Sequence, residues 1–187
     1  MKRFFSHFNL RSFHLKITGL STFVVVIILI IMSIYFKQTQ PLAQKEKFLS
    51  QNSVEGNALI IDGDSIMISS IKIRLAGIDA PELHQFCGKK GARYPCGLEA
   101  KKYLEQLLKN QTVICHWHKT DKYHRILATC KTKQISNINA MIVNNGWAVS
   151  YYEYPKEEQE ARSKKKGIWV SSFQRPKEWR KANPRTE

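Results

Sequence analysis

The chain has 187 residues, with 30 Lys and Arg against 15 Asp and Glu, a formal net charge of +15 and a pI near 9.8. That length leaves room for one domain with a real core plus an appendage, and excludes a string of domains. The basic balance suits nucleic acid, an anionic membrane surface or plain solubility, and charge alone does not choose among them.

Ile17 to Phe36 is an uncharged, mostly apolar run bracketed by Lys16 and Lys37. At roughly 1.5 Å per residue such a helix covers about 30 Å, the thickness of the hydrocarbon layer, whereas a signal-peptide apolar region is about half as long. A transmembrane helix or signal anchor is therefore expected over 17–36. Lys2, Arg3, Arg11 and Lys16 precede the run with no acid among them, while Glu46 and Glu55 accompany Lys37, Lys45 and Lys47 after it. Residues 1–16 are thus expected to be a cytoplasmic basic N-terminus, with the remainder outside the cytoplasm, periplasmic or extracellular. Cleavage near Pro41 to Gln44 would instead release it as a secreted chain. Residues 37–53 are polar and aperiodic, and read as a linker.

A folded domain is expected over 54–170, followed by a C-terminal tail over 171–187. Ala58–Ile61, Ser65–Ile68 and Ile71–Ala76 are short Ile-rich runs separated by Asp-Gly or Ser-Ser, the pattern of an antiparallel meander. A long loop from Asp79 to Cys96 carries Pro81, Gly88, Gly91 and Pro95, and loops of that length inside a compact domain tend to be functional. Leu98–Lys109 places Ala100, Tyr103, Leu104, Leu107 and Leu108 on one helical stripe that Asn110 ends. Thr112–Trp117 and Ile126–Thr132 read as strands, Ser136–Asn145 as a short helix stopped by Gly146, and Pro155–Lys166 as a last helix. In that helix Glu157 and Glu158 open the first turn and Lys164 to Lys166 the last, matching the helix dipole.

All four cysteines, Cys87, Cys96, Cys115 and Cys130, follow the apolar run. They allow three pairings, of which Cys87 with Cys96 and Cys115 with Cys130 is favoured, because the first closes one loop and the second joins neighbouring strands. The competing zinc reading draws on Cys115, His116 and His118. It lacks a C-x-x-C pair, and strand alternation sends Cys115 and His116 to opposite faces.

The chemistry concentrates in Asp62-Gly63-Asp64-Ser65 and in Arg74 through Glu82. Asp64 opens the second strand and Asp79 closes the third, so a hairpin brings both carboxylates to one end of the sheet, and hard oxygens suit calcium or magnesium. Glu82, after Pro81, is placed to accept a proton from water. Arg74 and Arg125 are candidates to offset charge that builds on a phosphate. Singly, Asp62-Gly63 is an ordinary turn signal and Arg74 a solvated charge; the combination carries the reading.

Asp-Gly-Asp-Ser, the stretch Arg74-Leu-Ala-Gly-Ile-Asp-Ala-Pro-Glu82 and Asp121-Lys-Tyr-His-Arg125 together resemble the staphylococcal nuclease homologue (thermonuclease) family over roughly Val54 to Trp169. The four cysteines, Gly-Ile-Trp and Pro-Lys-Glu-Trp-Arg resemble an exported bacterial subgroup of it. The resemblance implies a mainly β fold with helices, a five-stranded OB-fold barrel with about three α-helices, preceded here by the N-terminal membrane helix. It implies Ca²⁺ held by Asp64, Asp79 and the backbone carbonyl of Ala80, with Glu82 as general base and Arg74 and Arg125 stabilising the transition state. The implied activity is cleavage of DNA or RNA with little sequence preference, leaving 3′-phosphate ends, by a monomer. Lys122 and Tyr123 match positions that contact the nucleotide. Tyr152 and Tyr154 are expected to project on one side of an extended segment, where they stack on a base or bond to phosphate, with core packing as the alternative. Tyr151 is expected to face the other way, and Trp169, Phe173 and Trp179 to anchor the tail. His124 stands where the family has Gly, and a positive φ there would add strain beside Arg125. The alternative function is a catalytically weak or inactive OB-fold module that binds nucleic acid or a protein at the membrane.

Overall fold

The computed structural model describes residues 22–36, 52–121 and 123–184. The chain divides after Ser50 into two units. In the first, residues 22–36 form helix α1, with Phe23, Ile27, Leu29 and Met32 all exposed. Among the described residues no helix is long and apolar enough to cross a membrane; residues 17–21 of the expected span, and nearly all of the 37–53 linker, lie outside them.

The second unit contains β1 (Ser53–Asn57), β2 (Leu59–Ile60), β3 (Ser65–Ile68), β4 (Ile71–Leu75), β5 (Ile78–Asp79), α2 (Cys96–Leu108), β6 (Thr112–Thr120), β7 (Ile126–Lys131), α3 (Ile138–Asn144), β8 (Val149–Ser150), α4 (Pro155–Ser163), a 3-10 turn (Gly167–Val170) and α5 (Pro176–Ala182). One sheet has the order β1-β6-β7-β4-β3-β2, and β5 pairs with β8 apart from it. Only Ala58 separates β1 from β2, so a single segment supplies both edges and the sheet is barrel-like. Counted by segment, neighbours run first, second, third, fifth, fourth, first, with the third and fifth (β4 and β7) parallel, which is the five-stranded Greek-key closure of an OB fold. Sequence alternation drives it: Ile71, Ile73 and Leu75 are buried while Lys72 faces out, and Val113, Cys115 and Trp117 do the same on β6.

The structure corrects several boundaries. The expected strand Ala58–Ile61 is the short β2, and a further strand, β1, precedes it; the chain changes partner at Ala58, so that β1 pairs with β6 and β2 with β3. β1 was hidden by its polar residues Ser53, Glu55 and Asn57, with Val54 alone deeply buried. β6 continues past Trp117 through a bulge to Thr120. α4 ends at Ser163, so Arg162 is the basic residue of its last turn, and Lys165 is already left-handed at φ 48°. Among the described residues, four α-helices rather than three accompany the barrel, the extra one being α5 in the tail.

Cys87 is bonded to Cys96 and Cys115 to Cys130, the second pair sitting directly opposite in the β6–β7 register. Neither pair is free for zinc. Trp169 meets Phe173 edge to face at 4.9 Å, and both pack on a small core of Cys87, Cys96, Val149 and Ile168. The disulfide-closed loop is therefore the seat of the tail.

Candidate active site

The acids gather at one end of the barrel because three turns end there. In the β2–β3 turn the Asp64 amide donates to Asp62 Oδ1 at 3.0 Å, and Gly63 is required by packing: a Cβ on it would lie 2.7 Å from the Ala80 Cβ and 2.9 Å from that of Ala100 on α2. Asp64 thereby points inward and is 4% exposed. Its Oδ1 accepts from Ser65 Oγ (3.1 Å) and from Arg74 Nη1, and its Oδ2 accepts from the Ala80 amide at 2.8 Å. Burial pushes this carboxyl up to about 6; Arg74 pulls it down, Asp62 adds to the rise, and the Ala80 and Ser65 donors lower it.

Arg74 sits opposite Ser65 in the β3–β4 register. Its Nη2 donates to Asp79 Oδ1 at 3.0 Å and to the Ile78 carbonyl at 3.4 Å, so one guanidinium ties Asp64 to Asp79. Asp79, on β5 and held by pairing with Val149, is 1% exposed. Glu82 follows, its carbonyl packed where only a glycine, Gly97 at the start of α2, leaves room. Arg125 is braced by Asp121, which accepts from its backbone amide (3.0 Å) and its Nε (2.8 Å). Burial pushes Asp121 up, but the Arg125 and Tyr123 amides and the Arg125 side chain outweigh it and hold the carboxyl below its ordinary value. Nη1 of Arg125 reaches Ser65 Oγ at 3.5 Å, which links it to Asp64.

Asp64, Arg74, Asp79, Ala80, Glu82 and Arg125 are thus brought to one locale. What Ala80 gives Asp64 there is its amide. Tyr123 is exposed with the Arg125 guanidinium 5.7 Å from its ring, and Lys122 lies outside the described residues. The tyrosines near 152 are arranged otherwise than expected. Tyr152 and Tyr154 have φ of 71° and 64°, so the segment is a turn rather than extended, and Tyr151 lies beside Tyr152 with ring centroids 4.6 Å apart. Tyr152 is 87% exposed, whereas the half-buried Tyr154 hydroxyl accepts from Asn137 Nδ2 at 3.4 Å and its burial raises its pKa. His124 has φ 59°, the left-handed conformation its glycine-like position suggested.

One residue of the cluster escaped sequence reasoning. Arg180, on α5, donates from Nη1 to Asp79 Oδ1 (2.9 Å) and Glu82 Oε1 (2.8 Å), and from Nη2 to Asp79 Oδ2 (3.1 Å). Pro176 at the first turn and Arg180 and Lys181 in the last announce a helix, but nothing local announces contacts across about one hundred residues.

Among the described residues no three His, Cys, Asp or Glu side chains stand close enough to enclose a metal ion. The donor set nevertheless fits a hard divalent cation. Asp64 and Asp79 offer buried carboxylate oxygens at one end of the barrel, the hard ligands that such an ion takes.

Fold and site define an OB-type barrel with an acid–arginine cluster at one end. The family model for staphylococcal nuclease homologues matches residues 72–171. The chain belongs to that family. It is 33% identical over 145 residues to the micrococcal nuclease of Shigella flexneri, covering 66% of this chain and 78% of that one. It is 33% identical over 121 residues to the succinoglycan biosynthesis protein ExoI of Rhizobium meliloti, covering 61% and 63%. It is also 33% identical over 129 residues to the probable endonuclease LCL3 of Verticillium alfalfae, covering 59% of this chain but 44% of that one. The chain thus spans less than two thirds of the last two relatives.

Proposed function

We propose that this chain is a metal-dependent nuclease that hydrolyses phosphodiester bonds of DNA or RNA with little sequence preference, leaving 3′-phosphate ends, with calcium as its cation. The observation that carries the reading is the convergence of Asp64, Asp79, Glu82 and Arg74 on one buried locale, with Arg125 joined to it through Ser65. Asp64 and Asp79 would hold the cation, together with the Ala80 carbonyl. Bound calcium supplies Lewis acidity, polarising a phosphoryl oxygen and favouring ionisation of water. Glu82 accepts the proton of the attacking water at its carboxylate. Arg74 and Arg125 donate to the non-bridging phosphate oxygens, where charge builds most. Exposed Tyr123, beside Arg125, offers a stacking face for a base, with Lys122 next to it in sequence; Tyr152 offers a second face, and Tyr154 less of one.

The nuclease names of relatives support the activity, and the exposed apolar side chains of α1, continuing the uncharged run from Ile17, support a membrane anchor that holds the domain outside the cytoplasm. The oxidised cysteines support the same compartment. We take the catalytic unit to be monomeric.

The test is degradation of single-stranded DNA by the full chain in mild detergent, with calcium and with chelator. Cutting should require the cation and fall about 10²- to 10⁴-fold in Glu82→Ala and by a similar factor in Arg74→Ala. A wild-type chain that binds DNA with both disulfides intact yet leaves it uncut would establish a binding-only barrel instead.

A further inference from the structure

Glu82 is gripped by the C-terminal tail at two points. Its carboxylate accepts from Arg180 Nη1 at 2.8 Å, the same guanidinium taking both oxygens of Asp79. Its backbone amide donates to Gln85 Oε1 at 3.2 Å, and the Gln85 Nε2 donates onward to the Gln174 carbonyl at 2.6 Å. Gln85 is wholly buried and its amide oxygen and nitrogen are both partnered, so it is a built connection and not a surface contact.

The seat of the tail is equally specific. The Gly88 amide donates to the Ser172 carbonyl at 2.8 Å, inside the loop that Cys87 and Cys96 close. Arg175 donates to both carboxylate oxygens of Glu158 at 3.2 to 3.4 Å, and Lys177 lies 5.8 Å from the Tyr151 ring centroid. α5 is thereby fixed along its length with Arg180 facing the acids. Asp79 and Glu82 are like charges on one short loop. A planar fork that serves both carboxylates sets their separation and angle, which a point charge does less well.

We propose that Arg180, together with Gln85, is a positioning residue of the nuclease site, holding Glu82 against Asp79 so that the general base is fixed before substrate arrives. The proposal rests on the nuclease reading above. The barrel alone is then an incomplete enzyme, and the tail finishes it.

The experiment uses the full chain with Arg180→Gln, Arg180→Lys and Gln85→Leu, assayed on single-stranded DNA with calcium. Arg180→Gln should lower kcat about 10- to 100-fold and change KM less than about 3-fold, since a displaced general base weakens the transition state and not ground-state binding. Arg180→Lys should recover part of that loss, and Gln85→Leu should lower kcat in the same sense. In the metal-free protein, amide exchange at Glu82 should accelerate about 10-fold in Arg180→Gln while β6 and β7 amides stay as protected as in the wild type.

Unchanged kcat in Arg180→Gln overturns the proposal. So does calcium affinity that tightens more than about 10-fold with kcat kept, which would make Arg180 a competitor of the cation. If Arg180→Gln loses protection throughout the barrel, Gln85→Leu decides, and normal kcat there overturns it. A wild-type chain that does not cut sinks the nuclease reading itself, whereas equal cutting by wild type and Arg180→Gln sinks the positioning role alone.

Discussion

At Asp64, burial sets the proton affinity of a single side chain. Its carboxyl has an ordinary value of 3.8 and is raised to about 6, burial being the largest cause. The folded state therefore binds this proton more tightly than the unfolded one, so the contribution of Asp64 to metal-free stability is greatest at low pH and falls as pH rises from about 4 to 6, remaining low above that. Thermal unfolding in chelator should show this decline, and Asp64→Asn should flatten it while abolishing stabilisation by added calcium; an unchanged pH profile in the variant would assign the decline to another group. His124 is strained in a different way. At φ 59° a side chain adds about 1 kcal/mol that glycine avoids, yet Asp121 grips Arg125 at its amide and its guanidinium. His124→Gly should leave kcat within about 3-fold of wild type, because the brace, and not the turn residue, sets the arginine. A large gain in kcat would show that the strained turn misplaces it.

Among elements, the loop from Asp79 to Cys96 does most to join barrel, tail and site. It carries Asp79 and Glu82, receives the tail at Gly88 and Gln85, and is closed by the Cys87–Cys96 disulfide. Removing that bond frees a short loop and should cost about 2–3 kcal/mol. Cys87→Ser with Cys96→Ser should also lower kcat as Arg180→Gln does, because the same seat is loosened; breaking Cys115–Cys130 with the corresponding serines should reduce stability alone. Denaturant melts and kcat, measured on both double variants, separate the two roles. The meander and both disulfides were legible in sequence because each rests on local signals: alternating Ile runs, Asp-Gly and Ser-Ser turns, one cysteine pair closing a loop and the other joining neighbouring strands; closure into a barrel was implied by the family resemblance and not by those signals. The acids and Arg74 were legible for the same reason, lying within one meander. Arg180 was not, since its contacts join residues 98 and 101 apart and its own helix carries no mark of what it faces. Tyr152 and Tyr154 misled because alternation presumes extended backbone, and both residues are left-handed.

For the whole molecule, the apolar run and the oxidised cysteines support the proposed arrangement, an anchored domain facing a compartment where disulfides persist. The proposed orientation rests on the flanks: four basic residues and no acid precede the run, and acids mix with lysines after it. Membranes from cells expressing the full chain should retain it through alkaline carbonate extraction, and a protease added to the outer face of intact cells or spheroplasts should remove the domain while sparing the N-terminal segment. Recovery of a shortened chain in the medium, beginning near Pro41 to Gln44, would mean cleavage and release instead. A nuclease of this charge also has a definite salt signature. Each phosphate it neutralises on a single strand contributes about −0.7 to the slope of log K against log salt. Arg74 and Arg125 face the phosphate in the proposed complex, with Lys122 a third candidate, so the slope measured in chelator should be about −1.5 to −2 if the site alone binds. A much steeper slope would mean that the basic surface beyond the cluster gathers the strand first and the acid–arginine site acts on what it has gathered.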